Sequence, residues 1–323
     1  EVGNCEVEGK RTNIPHFNSK FEANSKYEYI RKKIFNERKL RIHPQKDDKI
    51  LTDWNGLMIS ALSRAATITG NREYREISEK AANFILENLK QNDNKLLKRY
   101  RNGESAINGM IEDYAFFIWG LIELYQLTFD IKYLNEAIKL SDYQIANFWD
   151  EEDKGFYYYD KNSDTLIVRA KEIYDGAIPS GNSVSTLNFI RLSRILNNNH
   201  YRNIANQSID AFSSRLNTSL TGSTMMYQSI DYLFGPSYEV IITGKFNDSK
   251  TQEILNQVYK SKNFNKVIIL IDPKNKRQIE KIIPFSEFYF KSLDRKPMAF
   301  ICKNYTCDLP TDDLDKIREQ LEQ

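Results

Sequence analysis

A chain of 323 residues with 41% hydrophobic positions is long enough to bury a large core, as one large domain or two smaller ones. Its 46 Lys and Arg against 44 Asp and Glu leave a net charge of +2, so there is no global electrostatic case for nucleic acid or an anionic membrane as partner. No apolar run approaches the ~18 residues of a membrane span, and the N-terminus lacks a charged lead before an apolar core, so neither a span nor a signal peptide is predicted. Three cysteines, Cys5, Cys302 and Cys307, imply no disulfide framework. Cys302 and Cys307, without a Cys-x-x-Cys motif or a nearby His, read as buried or incidental thiols. A reducing, cytoplasmic compartment is expected, with no metal and no cofactor. The chain starts at Glu1 rather than Met and is expected to be a piece of something longer.

Residues 1–22 are polar and read as an irregular leader. A charged amphipathic helix is predicted from Ser25 to Arg41, with its basic stretch as a solvated face, and it ends at His43-Pro44 because the residue before a proline is pushed out of the helical region. The lead Asp47 to Asn55 then opens a helix whose Leu57, Met58, Ala61, Leu62, Ala65 and Ala66 share one face. Thr69-Gly70-Asn71 stops it, and a second helix carries Tyr74, Ile77, Ala82, Ile85 and Leu89. The layout returns from Asp113 through Asp130 to Phe148, and again from Ser180 through Asn199 to Phe212. With Tyr74, Tyr133 and Tyr201 as equivalents the interval is 59 and then 68 residues, longer than the ~33–47 of common solenoids. The surplus lies between hairpins, in strand-forming segments at 96–100, 155–159 and 166–170.

Helix pairs separated by elaborated loops predict a mainly α fold, a partial (α/α) toroid over 23–236, each hairpin giving one inner and one outer helix. Residues 116–127, apolar around nearly the whole circumference, suit an inner helix. Residues 237–323 read as a small parallel α/β unit packed on the toroid, with strands at 238–244, 266–272 and 298–302. Thr243-Gly244-Lys245 has no phosphate-loop spacing, so no nucleotide is predicted.

The long loops enter the inner helices at their N-termini and so converge at one end of the ring. They bring Asp53, Trp54 and Asn55; then Arg99, Tyr100, Glu112, Asp113 and Tyr114; then Arg169, Lys171, Asp175, Ser180 and Asn182. Rings stack on sugar faces, and carboxylates and guanidinium groups fix hydroxyls in direction, which makes a saccharide the expected ligand. Asp53, Asp113 and Asp175 are the candidate catalytic carboxylates, Asp113 foremost because Glu112 and Tyr114 adjoin it. Asp53, Asp113 and Ser180 are equally ordinary helix N-caps, but capping does not call for Trp54, Tyr114 or the arginines. Tyr157, Tyr158 and Tyr159 read as strand packing, and His16, His43 and His200 are given no role.

Asp47-Asp-Lys-Ile-Leu-Thr-Asp-Trp-Asn-Gly-Leu-Met58, Glu112-Asp-Tyr-Ala-Phe116, Tyr174-Asp-Gly-Ala-Ile-Pro-Ser-Gly-Asn-Ser183 and Cys302-Lys-Asn-Tyr-Thr-Cys307 resemble, in family order, the YyaL-type proteins, relatives of spermatogenesis-associated protein 20. The resemblance implies a thioredoxin-like domain followed by an (α/α)6 toroid similar to the N-acylglucosamine and cellobiose 2-epimerases, a six-hairpin glycosidase-like architecture. Here no thioredoxin-like domain and no Cys-x-x-Cys are present, the hairpins would build about half to two-thirds of a ring, and no histidine aligns with the epimerases' acid and base. The expectation is therefore the C-terminal part of a carbohydrate-active toroid, epimerase-like, isomerase-like or glycosidase-like, supplying a sugar-binding rim. The alternative is a non-catalytic interaction scaffold for the thioredoxin-like domain. That domain, or the N-terminal half of the toroid, would be supplied in cis or in trans.

Overall fold

The computed structural model describes residues 5–12, 25–163, 168–216, 218, 220–291, 296–304 and 306–322. The chain divides into two compact units, 1–48 and 49–323. The first holds an antiparallel pair, β1 (Cys5–Val7) and β2 (Lys10–Thr12), and helix α1 (Ser25–Lys39), where Arg31 pairs with Glu28 one turn back.

In the second unit β3 (Ile50–Leu51) leads into α2 (Thr52–Thr69) and α3 (Arg72–Asn88). A hairpin, β4 (Leu97–Arg101) and β5 (Glu104–Asn108), precedes α4 (Ile111–Thr128) and α5 (Ile131–Phe148). The third pair is α6 (Gly181–Leu196) and α7 (Asn199–Leu216), followed by α8 (Thr224–Phe234). Each hairpin turns by one device. The inner helix ends on a left-handed residue, Gly70, Phe129 or Asn197, and the next residue, Asn71, Asp130 or Asn198, accepts amide hydrogens of the outer helix's first turn. The equivalence of Tyr74, Tyr133 and Tyr201 therefore has a backbone cause.

Helix α2 packs on α4, α4 on α6 and α6 on α8, while α3, α5 and α7 each pack on their own partner. Four inner helices side by side, backed by outer ones, are an arc of an (α/α) toroid. The α2–α4 contact is close because glycines face backbone: a Cβ on Gly56 would lie 2.5 Å from the Phe116 carbonyl carbon, and one on Gly120 would lie 2.8 Å from the Gly56 oxygen. Phe116, Phe117, Leu121, Ile122 and Leu124 have no exposed surface, as expected of a helix enclosed on all sides.

The remainder is a four-stranded sheet in the order β7-β6-β8-β9, from β6 (Tyr238–Thr243), β7 (Lys266–Ile271), β8 (Met298–Lys303) and β9 (Thr306–Cys307). Around it lie α9 (Ser249–Lys260), α10 (Lys276–Ile282), α11 (Ser286–Phe290) and α12 (Leu314–Glu322). It is fastened to α4 where Gln126 Oε1 accepts the Ile268 amide at 2.8 Å and the Gln126 carbonyl accepts the Tyr259 hydroxyl at 2.8 Å.

Three expectations are corrected. The sheet is mixed, since β8 runs antiparallel to β6; an apolar run specifies burial but not strand direction. Residues 155–159 form a single bridge, Trp149 to Phe156, in place of a strand, and of the segment 166–170 the described residues 168–170 are not a strand. Cys302 and Cys307, read as unpaired thiols, face each other across β8 and β9 and are disulfide-bonded, a pairing set by strand register.

Candidate functional site

The entrances of α2, α4 and α6 lie together. The Asp53 amide donates to Asp113 Oδ1 at 3.1 Å, joining α2 to α4, and a Cβ on Gly181 would lie 3.3 Å from the Glu112 nitrogen, which sets α6 beside α4. Into this seam β4 delivers Lys98, whose Nζ is 3.0 Å from Asp53 Oδ2 and 3.5 Å from Asp113 Oδ2. Asp113 is fully buried, and its Oδ2 also accepts the Met110 amide at 2.8 Å. Burial pushes its carboxyl up to about 7, against the pull of Lys98 and with the push of Asp53. Burial alone would lower Lys98, but Asp113 and Asp53 outweigh it and hold the ammonium above its ordinary value. Glu112, half-buried, is likewise raised by burial, against a hydrogen bond with Tyr158 and the charge of Lys98.

The structure thus brings Asp53, Glu112 and Asp113 together and adds Lys98 and Tyr158. Trp54 is 62% exposed beside them, and Asn55 donates back to the Leu51 carbonyl at 2.8 Å. Other predicted residues are engaged elsewhere. The Tyr114 oxygen accepts the Leu96 amide at 2.8 Å and its ring is stacked on Tyr143, in the core. Tyr100 packs edge-on against Phe84, and Arg99 pairs with Glu104 across the hairpin. Arg169 lies 3.8 Å over the Tyr157 ring, and Lys171 pairs with Asp150 at 2.5 Å. Burial opposes ionisation of Asp150, but hydrogen bonds from Lys171 and Tyr157 hold it well below the usual carboxylate range. Asp175 fastens α6 to α8, accepting the Ser180 amide at 2.8 Å and the Met225 amide at 2.7 Å. Asn182 brackets Phe156, accepting its amide and donating to its carbonyl, and Ser180 caps α6 by accepting the Ser183 amide. His43 and His200 are exposed, and His16 lies outside the described residues.

Lys98 was not predicted. Its signal is a lysine in a β-strand one residue from Leu97, too weak without knowing that Asp53 and Asp113 lie across the seam. Tyr158 was assigned to strand packing; its hydroxyl is the partner of Glu112. Among the described residues no group of His, Cys, Asp and Glu could hold a metal ion, and no helix is long and apolar enough to cross a membrane.

An arc of inner and outer helices with charged loops at the inner N-termini defines the class, a partial (α/α) toroid. No family model matches the sequence. The chain is similar to spermatogenesis-associated protein 20, with 28% identity to the Rattus norvegicus protein over 90% of this chain and 27% identity to that of Homo sapiens over the same share. It is 29% identical to the uncharacterized protein B0495.5 of Caenorhabditis elegans over 88% of this chain. The chain spans 38–39% of the length of these relatives. Among solved structures it is similar to a cellobiose 2-epimerase from Spirochaeta thermophila (TM-score 0.49, 14% identity, 59% of this chain and 56% of that one). It is also similar to a family 76 glycoside hydrolase from a bovine Bacteroides thetaiotaomicron strain (TM-score 0.49, 15% identity, 75% and 57%). At that level of overlay the toroid is read from this chain's own helix contacts.

Proposed function

We propose that the entrances of α2, α4 and α6 are the saccharide-binding wall of a carbohydrate-active toroid, with Glu112 as its proton-transferring carboxyl. The observation that carries this reading is the cluster Asp53, Lys98, Glu112, Asp113 and Tyr158 beside the exposed Trp54. A proton-transfer group works best with its pKa near the working pH and with a free face. Asp113 meets the first condition, but it is buried and its oxygens are taken; Glu112 is raised and half-buried, so it can reach a ligand. In this arrangement Asp113, Asp53 and Lys98 fix the charge beneath the site, and Trp54 offers a flat apolar face to a sugar ring. Such a site suits epimerase-like or isomerase-like proton abstraction, or the acid step of a glycosidase.

The test is calorimetry of the full-length protein with a panel of mono- and disaccharides. Saturable binding of at least one sugar is expected, weakened about tenfold or more in Trp54→Ala, with Glu112→Gln sparing binding but abolishing turnover. Absence of binding to every sugar sinks the reading.

A second observation bears on assembly. Met58 and Ile68, 57% and 69% exposed, fall with Ala61 on one stripe of α2, although α2 is an inner helix. We assign that stripe to the preceding inner helix of a fuller ring, supplied by the remainder of a longer protein that also carries a thioredoxin-like domain. Met58→Glu and Ala61→Glu should then destabilise the full-length protein and leave this chain alone unchanged; equal effects in both would refute it.

A further inference from the structure

The inner helices also converge at a second place, one to two turns before the C-terminal ends of α2, α4 and α6 and within the last turn of α8. There α2 contributes Arg64, α4 Glu123, α6 Arg191 and α8 Tyr232, and Lys266 of β7 with Phe264 closes the far side of a cavity of about 100 Å³. The charges do not balance. Glu123 accepts from Arg191 at 2.8 Å and from the Trp119 indole at 3.1 Å, with Arg64 at 4.0 Å. Three cations therefore share one carboxylate, an excess of 3 − 1 = +2 within the lining.

Lys266 registers the excess. Burial first, and then the Arg64 charge, pull its ammonium down to about 8, even though its Nζ donates to the Ser261 and Asn263 carbonyls. The second, independent observation is Tyr232: 3% exposed and lining the cavity, its hydroxyl has no hydrogen-bond partner. A buried orphan hydroxyl costs roughly 1–3 kcal/mol, and such a group calls for an explanation. Uncompensated positive charge and an unused donor in one cavity describe a receptor for a group that brings negative charge and acceptor oxygens.

We propose that this cavity binds the oxyanion of a small molecule, a phosphoryl or carboxylate group, on Arg64, Arg191, Lys266 and the Tyr232 hydroxyl. Small-molecule sites that enclose a whole ligand are typically ~300–1,000 Å³. At about 100 Å³ the cavity holds one charged group, and the rest of the ligand leaves past Arg64 and Phe264, whose ring centroid is 6.0 Å from the guanidinium and which is 67% exposed. The site lies among other residues than the saccharide wall and stands without it.

Inorganic phosphate and acetate, titrated separately into the folded chain by calorimetry at matched ionic strength with chloride as background, test the proposal and separate the two sources of oxyanion. Saturable binding of one or both is expected, at one site per chain. Arg64→Gln, on a half-exposed position that tolerates the change, should weaken it tenfold or more, and Tyr232→Phe several-fold. Glu123→Gln should tighten it by freeing Arg191, a gain that a purely structural carboxylate would not give. The proposal is overturned if neither anion binds saturably to folded protein. It is equally overturned if binding is indifferent to both Arg64→Gln and Tyr232→Phe.

Discussion

Gly56→Ala sets two effects of opposite sign against each other. On helix propensity alone, alanine in place of a mid-helix glycine stabilises by about 1 kcal/mol. The packing says otherwise, because the new Cβ would lie 2.5 Å from the Phe116 carbonyl carbon and 2.6 Å from the Phe117 nitrogen, both backbone atoms of α4. Carbon contacts are at rest near ~3.5–4.0 Å, so α2 and α4 would have to part by about 1 Å. Overpacking of a core costs roughly 1–3 kcal/mol. Parting the helices also stretches the bond from the Asp53 amide to Asp113 and the reach of Lys98 to both carboxylates, adding about 1–3 kcal/mol for poorly satisfied buried groups. After subtracting the propensity gain, a net loss of about 1–5 kcal/mol is expected. At the ~2–4 °C per kcal/mol usual for domains of this general size, Tm falls by roughly 2–20 °C. Calorimetric melting of wild type, Gly56→Ala and the exposed control Gly176→Ala measures it, the control being expected within about 0.5 kcal/mol of wild type. A Gly56→Ala protein melting at or above wild type would show that the α2–α4 contact does not constrain the site.

Asp113→Asn replaces one of two accepting oxygens by an amide NH₂ facing a backbone N–H, so a loss of about 1–3 kcal/mol is expected in urea unfolding, with Asp113→Ala no better tolerated. Cys307→Ser opens a loop closed over a separation of five residues, for which chain entropy gives a loss of at most about 2 kcal/mol; a much larger one would mean that the bond carries packing as well. Lys266 gives a pH signature. Its folded pKa, lowered to about 8, lies below the ~10.4 of an unfolded lysine, so between those values the unfolded chain binds the more protons and stability rises with pH. Below pH 8 both states are protonated and the cost of burying the charge is felt in full. Relative to Lys266→Met, wild type should therefore gain stability from pH 7.5 to 10, and a constant difference in urea midpoint would contradict the burial of this charge.

The hairpins were legible because their signals are local: apolar spacing along each helix, and Asn71, Asp130 and Asn198 where the chain must restart. The left-handed turn at Phe129 was not, since nothing in an aromatic residue announces a positive φ; tertiary packing against Tyr125 and Phe246 holds it there. The carboxylate entrances were readable as sequence positions, but the pairing of Lys98 with Asp53 spans 45 residues and that of Arg191 with Glu123 spans 68, and no local pattern encodes either. The direction of β8 and the Cys302–Cys307 bond failed for the same reason, because both depend on register against β6 or β9.

What register and packing add is a polarity along the inner helices. At their N-termini stand Asp53, Glu112 and Asp113, where the positive ends of the helix dipoles favour carboxylates. Here Lys98 offsets only one of the three carboxylates, so the entrance disfavours an anion and suits a neutral polyol better. Toward the other end stand Arg64 and Arg191. The dipole there favours cations, but its field falls off within about the last turn, and Arg191 lies five residues before the end of α6, as Arg64 does before the end of α2. Helix termini therefore cannot neutralise the cavity. Its charge excess has to be met by solvent ions or by a ligand, and the partnerless Tyr232 hydroxyl favours a ligand with acceptor oxygens.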